Sequence, residues 1–187
     1  MMKTRRFTLV ELLTVITIIA VLAGLAAGGF LKVSEKARIV QTKARMSALQ
    51  MAIEQYRSTY SYYPFTLIST VDKRLNSGEY EDLIKCLRAA DVDLNPRALP
   101  MLSADDDTYV DGWEGSYQVA LDLDYDGKVD GAVIYGYYDD DAPYDEDEDD
   151  IDRDVIIWSK GKDGLDSAID NRLNDDDNDD NVNSWDD

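Results

Sequence analysis

From Phe7 to Leu31 the chain reads FTLVELLTVITIIAVLAGLAAGGFL, apolar but for three threonines, Glu11 and small residues. At ~1.5 Å rise per residue this run is long enough to predict a helix that crosses a membrane. The apolar positions then keep a helical period through Val33, Ala37, Val40, Ala44 and Ala48, and through Met46, Leu49, Ile53, Tyr56 and Tyr60. No proline interrupts before Pro64. The pattern therefore predicts one helix from Thr8 to Tyr60, roughly 80 Å long. Its second half packs on a domain, with Met46–Tyr60 as the seat of a small sheet. Lys32, Lys36, Arg38, Lys43 and Arg45 lie on the other faces, toward solvent, acidic neighbours or anionic lipid. A second helix is expected over Gly78–Ala90, with Tyr80, Leu83, Ile84 and Leu87 as its apolar face. Asn95-Pro96 to Pro100 reads as a turn-rich connection.

Three stretches predict strands: Ser116–Tyr125, Gly131–Tyr138 and Arg153–Ser159. The first alternates best, with Tyr117, Val119, Leu121 and Leu123 on one face and Gln118, Ala120, Asp122 and Asp124 on the other. Asp139–Asp154 is a charge run that reads as a solvated loop, and 160–187 has little periodicity. The fold class is α+β: a long N-terminal helix, its first half transmembrane, packed on a small antiparallel sheet. The divisions are 1–6 as a basic leader, 7–31 as the membrane or assembly segment, 32–60 as its amphipathic continuation and 61–187 as an acidic globular domain.

Charge divides the chain unevenly. Residues 1–57 carry nine Lys and Arg against three acids, net +6; residues 58–187 carry ten against 36, net −26. So acidic a domain argues against a nucleic-acid partner, whose phosphates need Lys and Arg, and suits divalent cations. One cysteine excludes an internal disulfide, and the absence of histidine removes the commonest general base and zinc ligand. No catalytic site is expected. Lys3, Arg5 and Arg6 before the apolar run orient the N-terminus inward and send the domain outward. A secretory signal peptide and a plain signal anchor both fit that outline. Neither explains Glu11, since an ionised group in a membrane helix needs a partner.

Two acidic clusters have oxygen-ligand spacing. Asp122, Asp124, Asp126 and Asp130, with Gly127 between them, match the first half of an EF-hand loop but have Val133 where a bidentate Glu belongs. They read as either a cation loop or an acidic turn between two strands. The second cluster runs from Asp175 to Asn181, and Trp185 beyond it reads as an anchor folding the segment back onto the domain.

The run Phe7-Thr8-Leu9-Val10-Glu11-Leu12-Leu13 resembles the leader junction of type IV pilins and type II secretion pseudopilins. Arg6 stands where those families usually have Gly. The resemblance implies cleavage between Arg6 and Phe7 by a prepilin peptidase, N-methylation of Phe7, and pairing of Glu11 with the Phe7 amine of a neighbouring subunit. Asp111-Gly112-Trp113-Glu114-Gly115-Ser116-Tyr117-Gln118, Ile157-Trp158-Ser159-Lys160-Gly161-Lys162-Asp163-Gly164 and Asp179-Asp180-Asn181-Val182-Asn183-Ser184-Trp185 are similar to segments of type II secretion major pseudopilins. So are Ala52–Arg57 and Tyr62-Tyr63-Pro64. By that resemblance the C-terminal loop is stapled by one calcium ion. Asp163 and Asp179 are then the best side-chain ligands, Asp180 and Asn181 the next, and the carbonyls of Ser159 and Gly161 possible additions. The resemblance also implies a homo-oligomeric helical pseudopilus that drives protein secretion across the outer membrane. Its partners would be minor pseudopilins and an inner-membrane secretion platform. The subunit would be stored as a single-pass inner-membrane protein with its domain in the periplasm. The alternatives are a type IV pilin of a surface pilus and a signal-anchored acidic calcium-binding surface protein.

Overall fold

Helix α1 runs unbroken over Leu9–Tyr60, as the periodicity predicts. The computed structural model describes residues 8–64, 71–104, 108–135, 150–165 and 180–184, with 25–32, 132 and 135 in backbone alone. It divides into two compact units, residues 1–38 and 39–187.

In the first unit the helix begins at a reciprocal cap. The Thr8 amide and hydroxyl both donate to Glu11 Oε2, at 2.9 Å each, and the Glu11 amide donates to Thr8 Oγ1 at 3.3 Å. This is a capping box, which satisfies orphan donors of the first turn. The next threonines are neutralised by the helix itself: Thr14 donates its hydroxyl to the Val10 carbonyl and Thr17 to that of Thr14, 2.8 Å each. Leu9, Val10, Leu12, Leu13, Ile16 and Ile19 are all exposed, so apolar surface faces outward on every side. Among the described residues, however, no helix is long and apolar enough to cross a membrane. That finding overturns the single-pass inner-membrane placement expected from Phe7–Leu31. The described apolar side chains of α1, Leu9–Gly24, span about 24 Å, short of a ~30 Å hydrocarbon core, and include Glu11.

In the second unit the two apolar rows of α1 part company. Met46, Leu49, Ile53 and Tyr56 are buried in the main core. Val40, Ala44, Ala48 and Met51 are exposed on the opposite side. The core is closed by a four-stranded antiparallel sheet in the order β1-β2-β3-β4: β1 is Lys73–Arg74, β2 Gln118–Leu121, β3 Val155–Ser159 and β4 Val182–Asn183. The alternation in β2 reads out as predicted. Tyr117, Val119, Leu121 and Leu123 enter the main core, and Ala120 points to the other face.

That other face explains a departure. Gly131–Tyr138 was expected as a strand, but Gly131–Tyr135 is a short helix, α3, and 136–138 lie outside the described residues. Ile134 packs with Val129, Ala120, Ile156 and Trp158 over the back of the sheet. The β-branched residues that read as a strand are thus a lid on one, and burial rather than pairing is what they serve. The strand expected at 153–159 is β3, shortened at its start, and the long candidate at 116–125 pairs only over Gln118–Leu121.

Helix α2, Ser77–Leu87, matches the expected second helix closely. Asn76 caps it in a box with Glu79, at 3.0 Å in both directions, and Lys73 ion-pairs with Glu79. It buries Tyr80, Leu83, Ile84, Cys86 and Leu87. Burial pushes the Cys86 thiol up to about 12, so it is an inert packing residue. At the end of α1, Arg57 lies over the Tyr63 and Tyr125 rings, 4.8 and 5.4 Å from their centroids, and ion-pairs with Asp154.

Candidate functional site

The C-terminal loop is assembled by the last strand pair. Register Ser159↔Val182 sets β4 beside the end of β3, so Asp180, two residues before Val182, returns against the turn that follows Ser159. Gly161 makes that turn possible. Its φ is +65°, and a Cβ built on it would lie 2.4 Å from the Asp180 carbonyl oxygen. Asp180 Oδ2 accepts from the amides of Lys162 at 2.7 Å and Asp163 at 3.2 Å. Its Oδ1 is buried and has no hydrogen-bond partner among the described residues. A buried carboxylate oxygen without a donor costs free energy unless a cation takes it.

Of the residues expected to hold calcium, then, Asp180 reaches the turn. Asn181 follows it directly and is half-buried. Asp163 is exposed, and its Oδ1 accepts from the Leu165 amide at 2.8 Å. Asp179 and Trp185 lie outside the described residues. The donor set is all oxygen, which suits a hard cation such as calcium, and Asp180 Oδ1 is an acceptor open to one.

Beneath the loop lies a buried polar chain that the sequence reading did not find. Asp111 is 3% exposed and Ser159 0%. Ser159 donates its hydroxyl to Asp111 Oδ2, and its Oγ accepts from the Gly161 amide at 3.1 Å. Asp111 Oδ1 accepts from the amides of Trp113 and Gly115, both at 2.8 Å. The same 110–117 turn is fastened to α1: Arg45 donates to the Val110 carbonyl at 2.7 Å, Gly112 N–H to Thr42 Oγ1 at 2.9 Å, and the Tyr117 hydroxyl to the Thr42 carbonyl at 3.0 Å. An Asp ahead of Gly-Trp-Glu-Gly signals a side-chain-capped turn. Nothing local signals its partner on β3.

The second acidic cluster has a different membership from the one expected. Three carboxylates close enough to hold a metal ion come from Asp72, Asp122 and Asp124, whose oxygens lie within 4.8 Å of one another. Asp126 and Asp130 are not among them. Asp126 Oδ1 instead accepts from the Lys128 amide at 2.9 Å. Asp72 arrives by the β1–β2 pairing, Lys73↔Leu121. Its Oδ1 accepts from Leu123 N–H at 3.0 Å and its Oδ2 from Asp130 N–H at 2.8 Å. Asp122 accepts from the amides of Tyr125 and Gly127. Burial raises both carboxyls, Asp72 to about 6, with Asp130 and Asp122 adding to it.

At the N-terminus, Arg6 and Phe7 lie outside the described residues, and Glu11 is exposed in its capping box. Residues 4–27 match the family described as Prokaryotic N-terminal methylation motif. The N-terminus thus carries a prepilin-type signal of the type IV pilin and pseudopilin kind. Such a signal implies processing by prepilin peptidase and filament assembly in general. No curated protein and no solved structure matches the chain.

Proposed function

We propose that this chain is a structural, non-enzymatic subunit of a type II secretion pseudopilus. On this reading it is cut between Arg6 and Phe7, methylated on Phe7, and polymerised through its N-terminal helix to drive protein secretion across the outer membrane. The observation that carries the proposal is the methylation motif at 4–27, set on a helix whose apolar side chains are exposed all round. A helix apolar on every side needs other apolar surface to cover it, and the same helix of neighbouring subunits supplies that in a filament. Exposed Val40 and Met51 extend unburied apolar surface along α1 in the domain unit. The single cysteine leaves no disulfide to close the C-terminal loop, which favours the pseudopilin over a disulfide-bonded pilin. Calcium takes the disulfide's place, held by Asp180 with Asp163, Asp179 and Asn181 as further ligands; it supplies neutralisation and a cross-link between 159–163 and the terminal segment.

In an assembled filament, Glu11 pairs with the Phe7 amine of the next subunit. Intact mass of the mature protein tests the first step. A chain beginning at Phe7 with one added methyl is expected; an uncut chain, or one beginning at or after Gly28, rules the reading out. Glu11→Ala then tests the second, with filaments expected to be lost while the domain still folds. Normal filaments from that variant would refute the pairing.

A further inference from the structure

We propose that Asp111 and Ser159 are positioning residues for the C-terminal cation loop, acting through the Gly161 amide. The inference rests on the calcium reading above and adds to it two side chains that are not themselves ligands. The polarity of the chain is forced by chemistry. An amide can only donate and a carboxylate can only accept, so the Ser159 hydroxyl must give its proton to Asp111 and its lone pair to Gly161. Neither side chain has an alternative, since both are buried and Asp111 Oδ1 is already occupied by two amides.

This direction matters for the loop. Fixing the Gly161 amide fixes the one residue whose positive φ lets the chain turn under Asp180. The next two amides, Lys162 and Asp163, then clasp Asp180 Oδ2. With Oδ2 held, Oδ1 is the oxygen left buried and without a partner among the described residues. The relay is itself anchored on α1 through Thr42 and Arg45, so the cation loop inherits the position of a rigid element. A carboxylate at 111 serves this arrangement because it is the strongest acceptor available to order a hydroxyl.

The test uses the full chain, with calcium binding by isothermal titration and amide exchange at 161–163 in EGTA. Ser159→Ala removes the hydroxyl, and calcium binding is expected to weaken ten- to a hundredfold, with faster exchange at 161–163 than at 155–158. Ser159→Thr keeps the hydroxyl and is expected to bind within a few-fold of wild type. Asp111→Asn, which reverses one donor–acceptor pair, carries the same expectation as Ser159→Ala and replaces it should that variant fail to fold. A purely structural role would speed exchange throughout β3 and leave calcium affinity unchanged; that result, or wild-type affinity in Ser159→Ala, overturns the proposal. A wild-type chain that gives no calcium heat fails differently: it removes the calcium reading, and the positioning role falls with it.

Discussion

The molecule holds two acidic sites of similar composition and opposite hydrogen-bond state. At the first, both oxygens of Asp72 and both of Asp122 already accept from backbone amides. Around Gly161, one oxygen of Asp180 is satisfied twice over and the other has no donor among the described residues. The first site uses carboxylates to fold a turn; the second leaves an oxygen over. Counting acids does not separate the two, whereas asking which donor serves each oxygen does. The first site keeps the capacity for a cation, since its three carboxylates lie within reach of one ion. Among the described residues, the second has a buried carboxylate oxygen with no donor, and the first has none.

The largest expected effect comes from the glycine at each site. Gly127 and Gly161 both have positive φ, +92° and +65°. A Cβ at 127 meets nothing within 4 Å, whereas at 161 it strikes backbone of Asp180 at 2.4 Å. Gly127→Ala is therefore expected to cost about 1–2 kcal/mol, the price of a left-handed non-glycine residue. Gly161→Ala adds overpacking to that strain and is expected to cost about 3 kcal/mol or more. Urea unfolding of the two variants decides the matter. Equal costs would mean that the C-terminal segment is not seated on the turn, and the contrast between the sites would collapse.

The carboxylates themselves give a crossed pattern of somewhat smaller size. Asp122→Ala removes a carboxylate that is 1% exposed and leaves two part-buried amides without their acceptor, and is expected to cost about 2 kcal/mol with or without calcium. Asp180→Ala strands two exposed amides and is expected to cost under about 1 kcal/mol in EGTA. Its effect lies in the calcium response. Wild type should gain about 2.7 kcal/mol at calcium a hundredfold above Kd, and the variant should gain nothing. If Asp122→Ala abolishes the gain and Asp180→Ala keeps it, the cation belongs to the first site.

How far the sequence reaches differs between these regions for a physical reason. The helix α1 and the core alternation of β2 are written in local periods, and both were legible. Strands β1 and β4 are two residues long, too short to carry a period, yet they deliver Asp72 to one site and Asp180 to the other. Asp72 lies fifty positions before Asp122, and only the register Lys73↔Leu121 joins them. The spacing of Asp122, Asp124, Asp126 and Asp130 left a cation loop and an acidic turn both open; of the four, Asp122 and Asp124 join Asp72, and Asp126 accepts from the Lys128 amide in its own turn. Thr8-x-x-Glu11 is the opposite case. It is a capping-box signature in plain sight, overshadowed by the anomaly of a carboxylate in an apolar run.

The smallest expected effect concerns pH and returns to Asp72, which is 8% exposed. Burial lifts its carboxyl from 3.8 to about 6, against the pull of two backbone donors. Because the folded state binds the proton more tightly, the protonated group contributes stability that is fully present below about 3.8 and is lost as pH rises through about 6. Wild type in EGTA is expected to lose about 1–2 kcal/mol between pH 4.5 and 7 relative to Asp72→Asn, whose side chain stays neutral throughout. Parallel curves would show that the carboxylate is charged across the whole range. Adding calcium sharpens the comparison further. A cation held by Asp72, Asp122 and Asp124 neutralises the buried charge and reverses the slope, while one held at Asp180 stabilises the protein and leaves the slope near Asp72 as it was. The sign of that one slope in calcium, set beside its sign in EGTA, assigns the ion to a site with Asp72→Asn as the one reference variant.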